Sequence, residues 1–335
     1  MDQAARGILK LVKPAISVII MTLKIMFTSD VHGSEPVFRK FINSAKIYRA
    51  NQLILGGDIT GKGLIMVSKS EAGYKTNYLG MEITAKDETQ FEKFRNQTRM
   101  RGYYVYVDTP NVIQELKFST EKRDQVLMNC VKETLSSWLK LAEERLKGTE
   151  IKCYISPGND DDYEIDSILN SSDFVTNPDG KVVSLDDEYE MISMGKGNIT
   201  PWKCSRDVPE EELERTLESM ISRTNDISKS IFNVHVPPYG TLLDVAPELD
   251  SELKAVTKAG QPSMINVGST AVRKAIEKYQ PLLGLHGHIH ESKAVEEIGR
   301  CLCVNPGSEY AEGILRGALI TLDSGRIKNY VLTTG

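Results

Sequence analysis

The sequence predicts a layered α/β protein, and three observations carry that prediction. The chain opens on strand–helix–strand. The apolar run Leu23-Lys24-Ile25-Met26-Phe27-Thr28-Ser29 precedes Val37, Phe38, Phe41, Ile42 and Ala45 at helical spacing, and a second short apolar run follows, Gln52-Leu53-Ile54-Leu55. Short apolar runs of this kind recur along the chain, each closed by a tight turn and then a carboxylate, amide or imidazole. Three of the five histidines fall within His286-Gly287-His288-Ile289-His290. Ligand-type side chains at strand ends converge on one rim of a sheet, where α/β proteins build sites.

Residues 1–22 are expected to form an extension ahead of the first core strand. Arg6, Lys10 and Lys13 precede the apolar run Ala15 to Met21, as in a secretory signal. That run is short of the ~20 residues needed to span a bilayer, and no small-residue cleavage site follows. The favoured readings are a packed or disordered extension, or an over-long start with Met21 as initiator. Either makes the protein cytoplasmic, without stable membrane insertion.

Glu35-Pro36 suits the first turn of the first helix. From Gly61 to about Thr109 the pattern changes: the segment carries Tyr74, Tyr78, Tyr103, Tyr104 and Tyr106 and glycines at 61, 63, 73, 80 and 102, predicting one or two β-hairpins and a short helix, Glu88 to Arg99, inserted as a cap. A long helix from Ser119 to Lys147 carries Val126, Leu127, Val131, Leu135, Leu139 and Leu146 on one face. Ile151 to Ser156 is the next strand, followed by a hairpin-like stretch through Val182-Val183 and Glu190 to Ser193, then a Thr200-Pro201-Trp202 loop. An acidic-start helix runs from Pro209 to about Ser222, its Glu210, Glu211 and Glu212 complementing the helix dipole in water. Ile231 to Val236 is a core strand, Ala271 to Lys278 a helix, Leu282 to Leu285 a strand, and Cys301 to Thr333 three strands. With no repeat and no Pro/Gly/Ser linker, residues 23–335 read as one domain with an insertion at about 61–109.

Composition narrows the function. A net charge of -5 and a pI near 5.7 argue against a general electrostatic grip on nucleic acid. Five cysteines with no CxxC pair read as free thiols in a reducing cytosol.

The candidate ligands are Asp30, His32, Asp58, Asn159, His235, His288 and His290. In an extended segment Asp30 and His32 share a side, as do His288 and His290. Mixed oxygen and imidazole donors without thiolate suit Mn, Fe, Zn, Co or Ni. Seven donors are too many for one tetrahedral ion but suit two divalent ions sharing a carboxylate, roughly 3.5–4 Å apart. His286 has two readings, a packed histidine or a proton donor near the site. Asp161 is either part of a solvated acidic turn or orients a ligand. Trp202, Tyr239 and Arg273 are candidate pocket residues. Gly268-Ser269-Thr270 either receives an anion at a helix N-terminus or supplies Ser269 as its cap.

Asp30-Val31-His32, Gly56-Gly57-Asp58, Gly158-Asn159-Asp160-Asp161, His235 and Gly287-His288-Ile289-His290 stand in the order and rough spacing of the calcineurin-like metallophosphoesterase superfamily. The Asn305-Pro306-Gly307-Ser308 turn is similar to that of its bacterial and archaeal phosphodiesterase members. The resemblance covers the chain from about Leu23, apart from the insertion. It implies a four-layer αββα sandwich and two metals, Mn favoured. Asp30, His32, Asp58 and His290 would hold one ion; Asp58, Asn159, His235 and His288 would hold the other, with Asp58 bridging. It also implies phosphodiester hydrolysis by a metal-bridging hydroxide. Many members carry a histidine just after the Gly-Asn pair, whereas this chain has Asp160, which argues against efficient hydrolysis of poor leaving groups and toward diester cleavage. The expected partner is a small phosphoester, with nucleic acid less favoured and homo-oligomerisation open. The alternatives are a metal-dependent nuclease, or a metal-containing binding protein whose catalysis has lapsed.

Overall fold

The computed structural model describes residues 22–335, so the expected N-terminal extension lies, but for Thr22, outside the described residues. The chain begins with β1 (Leu23–Thr28), α1 (Glu35–Tyr48) and β2 (Gln52–Leu55). The insertion adds β3 (Gly63–Ser70), β4 (Gly73–Tyr78), β5 (Met81–Ala85), α2 (Glu88–Met100), β6 (Tyr103–Asp108) and α3 (Pro110–Phe118). Next come α4 (Thr120–Leu146), β7 (Lys152–Ile155), α5 (Asp166–Leu169), β8 (Val182–Ser184), β9 (Glu190–Met194) and α6 (Glu210–Ile221). The chain continues through β10 (Ile231–Val234), α7 (Thr270–Tyr279), β11 (Leu283–Leu285), β12 (Ala294–Ile298), β13 (Cys301–Asn305), β14 (Arg316–Asp323) and β15 (Arg326–Thr334).

The architecture is mixed α/β. One sheet runs β15-β14-β1-β2-β7, with β1, β2 and β7 parallel; the other runs β12-β13-β11-β10-β9-β8, with β13, β11, β10 and β9 parallel. Side-chain alternation decides which core each strand residue joins. Leu23, Ile25 and Phe27 of β1 share a cluster with Ile231, Leu283, Leu285, Leu302 and Val304 of the other sheet, while Met26 joins a different cluster. There Phe38 and Phe41 of α1 meet Leu135 and Trp138 of α4, and the Phe38 and Trp138 rings stack at 4.2 Å. A third cluster sets Leu213 and Leu217 of α6 and Val272 and Ile276 of α7 against Phe232 and Val234 of β10. Each fully buried aliphatic or aromatic side chain contributes about 1.5–3 kcal/mol.

The insertion contains the two expected hairpins, β3–β4 and β4–β5, and the expected helix α2, and adds to them a parallel strand. Its four strands run β5-β4-β3-β6, with β3 and β6 parallel, so α2 is a crossover and α3 extends the unit past Thr109. A parallel pair requires such a connection, and alternation of residue types cannot tell parallel from antiparallel. Strand β12 was not expected, because Glu296 and Glu297 interrupt its apolar pattern; as an edge strand it tolerates them. Glu210 is not simply solvated. Its carboxylate accepts from Ser269 Oγ at 2.7 Å and from the N–H groups of Ala271 at 2.8 Å and Thr270 at 3.2 Å, filling the N-terminus of α7. Ser269 caps that helix by accepting from the Val272 N–H at 3.2 Å, so the anion there is the chain's own. No helix among the described residues is long and apolar enough to cross a membrane, and all five cysteines are free thiols.

Candidate metal centre

The parallel strands bring their carboxyl ends to one rim, and the candidate ligands follow those ends. Asp30 comes after β1, Asp58 after β2, Asn159 after β7, His235 after β10 and His288 after β11. The convergence does not come from strand alternation. The strands stop at Thr28 and Leu285, and Asp30, His32, Asp58 and His288 have φ of 56°, 38°, 49° and 67°. This left-handed backbone costs a non-glycine residue about 1–3 kcal/mol. Cross-turn hydrogen bonds hold it: the Asp30 N–H donates to Gly57 O and the His32 N–H to Asp58 O, both at 2.9 Å. Gly57, at φ +129°, has no room for a side chain, because a Cβ there would strike His235 Nδ1.

Asp30, His32 and His290 present ligand atoms within 4.8 Å of one another, as do Asp58, His235 and His288. Asp58 faces both groups, with Oδ2 3.6 Å from His32 Nε2 and Oδ1 3.3 Å from His235 Nε2. Asn159 donates from Nδ2 to Asp207 Oδ1 at 2.8 Å, which leaves its Oδ1 buried without a hydrogen-bond partner. His32 Nδ1 and His235 Nε2 are buried without hydrogen-bond partners too. Unsatisfied Asn159 Oδ1 and His235 Nε2 beside two carboxylates, with His32 Nε2 and His290 Nε2 turned toward each other at 3.1 Å, fit divalent cations, which take oxygen and imidazole ligands together.

The electrostatics agree with that fit. Burial alone would raise the Asp58 carboxyl, but His235, His32 and Lys62 outweigh it and hold it well below its usual range. Against burial, His290 and His235 likewise lower Asp30 to about 2. Burial, reinforced by Lys62, lowers His32 to about 3; burial and His235 lower His288 to about 4. Both imidazoles are thus neutral and keep a lone pair for a metal. His235 goes the other way: burial opposes its charge, but Asp58 raises it to about 9.

His286 is not part of either group, which corrects its candidacy as a proton donor. It is fully buried, its Nδ1 meets Val234 O at 2.8 Å, and burial lowers it to about 4. The left-handed φ of His288 breaks the alternation that would have put the two rings on one side. Asp161 is no solvated turn. Its fully buried carboxylate accepts from the N–H groups of Gly158, Ile59 and Thr60 and from Thr60 Oγ1 at 2.6–3.0 Å, tying the Asp58 and Asn159 turns together. Arg273 pairs with Glu277 on its own helix, and Trp202 and Tyr239 are exposed.

Other residues reach the centre without a sequence signal. Lys62 pairs with Asp160 at 2.5 Å, and Asp160 stands within ligand distance of His32 and Asp58. The Tyr310 ring packs on His32 and His290 at 4.8 and 5.8 Å between centroids. The 305–308 turn, singled out by its sequence, holds the histidine loop. Asn305 Nδ2 donates to Leu243, Gly287 and Ile289 carbonyls at 3.0–3.3 Å, and Ser308 Oγ donates to Asp30 O at 2.6 Å.

No family model matches the chain. An uncharacterized protein of Methanocaldococcus jannaschii is 34% identical over 160 residues, which are 47% of this chain; the chain spans 63% of that relative's length. Among solved structures, one is similar with a TM-score of 0.53 and 15% identity, covering 94% of this chain and 99% of its own. The protein TT1561 of Thermus thermophilus is similar with a TM-score of 0.50 at the same identity and coverage. A structure described as a novel archaeal phosphodiesterase aligns over 93% of this chain and 99% of its own at 14% identity, with a TM-score of 0.34. At these identities the structural likeness is one of fold, and with the five motifs now gathered at one rim, the chain resembles the calcineurin-like metallophosphoesterases.

Proposed function

We propose that the protein is a two-metal phosphoesterase acting by preference on phosphodiesters, built as a four-layer αββα sandwich. The observation that carries this reading is Asp58, whose two oxygens face the Asp30/His32/His290 group and the His235/His288 group at 3.6 and 3.3 Å. The three stacked core clusters support the layered reading. A metal pair held here, with Mn favoured, supplies Lewis acidity and an activated water for attack on phosphorus. The residues of the chain provide the positions. Asp58 spans the two groups, Asp207 turns the Asn159 carbonyl inward, and Asp161 fixes both turns. In the overall reaction a P–O bond forms to the oxygen of water and the ester P–O bond breaks, giving a monoester and an alcohol.

Turnover of bis(p-nitrophenyl) phosphate and p-nitrophenyl phosphate with added Mn tests the reading, with Asp58→Asn as control. Faster diester cleavage, together with loss of bound metal and of activity in the control, is expected. Full activity in Asp58→Asn would sink the proposal. Two metals per chain with no turnover of either ester would favour a binding protein instead.

A further inference from the structure

Lys62 and Asp160 form the open side of the metal centre. Lys62 Nζ lies 2.5 Å from Asp160 Oδ2, and the two side chains are 37% and 34% exposed, whereas His32 and Asp58 beside them are 5% exposed or less. Asp160 is held in register by its own N–H, which donates to Asp58 Oδ1 at 3.0 Å. Its Oδ2 is 3.9 Å from His32 Nδ1. Lys62 comes from the start of the insertion, and its charge acts on His32, Asp58, His290 and Tyr310 alike. Among the described residues it is the one lysine or arginine paired with a carboxylate of this cluster.

A phosphoryl group approaching the cluster from this side meets the pair. Its non-bridging oxygens are attracted by the ammonium and repelled by the carboxylate. A diester carries one charge and can replace Asp160 as the partner of Lys62. A monoester above its second pKa of about 6 carries nearly two, and the second charge finds no further lysine or arginine paired with this cluster among the described residues. Resting on the phosphoesterase reading above, we propose that the Lys62–Asp160 pair selects substrate by charge: Lys62 binds a non-bridging oxygen of a monoanionic phosphodiester, and Asp160 turns dianionic monoesters away.

The test compares kcat/KM for the two nitrophenyl esters at about pH 8, with bound metal measured in each protein. The set is the unmodified chain, Lys62→Met, Lys62→Arg and Asp160→Asn. Lys62→Met should lose about 100-fold in kcat/KM on the diester with its metal content unchanged, the loss typical of one oxyanion donor. Lys62→Arg should recover part of that loss, since a bidentate cation also binds phosphate. Asp160→Asn should move the diester-to-monoester ratio toward the monoester by about tenfold, as removal of a like charge predicts. An active parent with undiminished Lys62→Met, or with an unmoved ratio in Asp160→Asn, would overturn the charge-selection proposal alone. Loss of a metal in Asp160→Asn would overturn it too, making Asp160 a ligand. A metal-loaded parent that cleaves neither ester would overturn both this proposal and the phosphoesterase reading.

Discussion

His235 and Asp58 stand 3.3 Å apart in a fully buried setting, and their protonation governs what a cation must displace. Burial disfavours the imidazolium, yet Asp58 raises His235 to about 9. A raised imidazole stabilises the fold fully below its unfolded pKa of about 6.5, and that contribution is lost as pH rises through about 9. A metal ligated by His235 must displace that proton, so metal affinity should climb as pH rises toward about 9 and level off above it. Calorimetric titration at about pH 7.5 in buffers of differing ionisation heat should register proton release on Mn uptake. Uptake without release would remove His235 from the ligand set. At this scale the sequence was informative about residue type and silent about state: an imidazole and a carboxylate 177 positions apart give no sign that they meet 3.3 Å apart.

Among the elements, the turn from Asn159 to Asp162 depends on a residue that no pattern marked. Arg206 is 1% exposed, with Nε donating to Asp161 O at 2.8 Å and Nη2 to Asp162 O at 3.1 Å and Asp166 Oδ1 at 2.7 Å. It also lies over the Tyr163 ring at 4.3 Å, so one buried guanidinium ties the β7 turn to α5. Arg206→Met would strand these carbonyls and Asp166, destabilising the protein by about 3–5 kcal/mol. Urea unfolding should register this as a lower midpoint at unchanged slope; a shift worth less than about 1 kcal/mol would contradict the role given to Arg206. The helices were legible because periodicity records a buried face: α4, α6 and α7 lie within a residue or two of where their apolar spacing put them. The insertion was less so, since strand partners are chosen by tertiary packing. Tyr74, for example, stacks on Phe91 of the crossover helix at 4.2 Å.

For the whole molecule, the candidate metal centre joins the ends of both sheets, so metal bound there would be linked to global stability. Mn held at 100 times its Kd should add about 2.7 kcal/mol to unfolding. Calorimetric melting should show a lower Tm after chelation, restored by Mn in the parent and not in Asp58→Asn. Identical melting with and without chelator would separate the centre from the fold. What the sequence by itself determined is the order of strands and helices and the places where ligand-type residues follow strand ends, because both are local patterns of residue type. Tertiary structure alone decided how the ligands converge, since left-handed turns at Asp30, His32, Asp58 and His288 replace the alternation that strands would have imposed. It also decided which distant groups serve them: Asp207 on Asn159, Tyr310 on His32, and Lys62 on Asp160. Those pairs are 48, 278 and 98 positions apart, and only packing of the two sheets and the insertion brings them within contact.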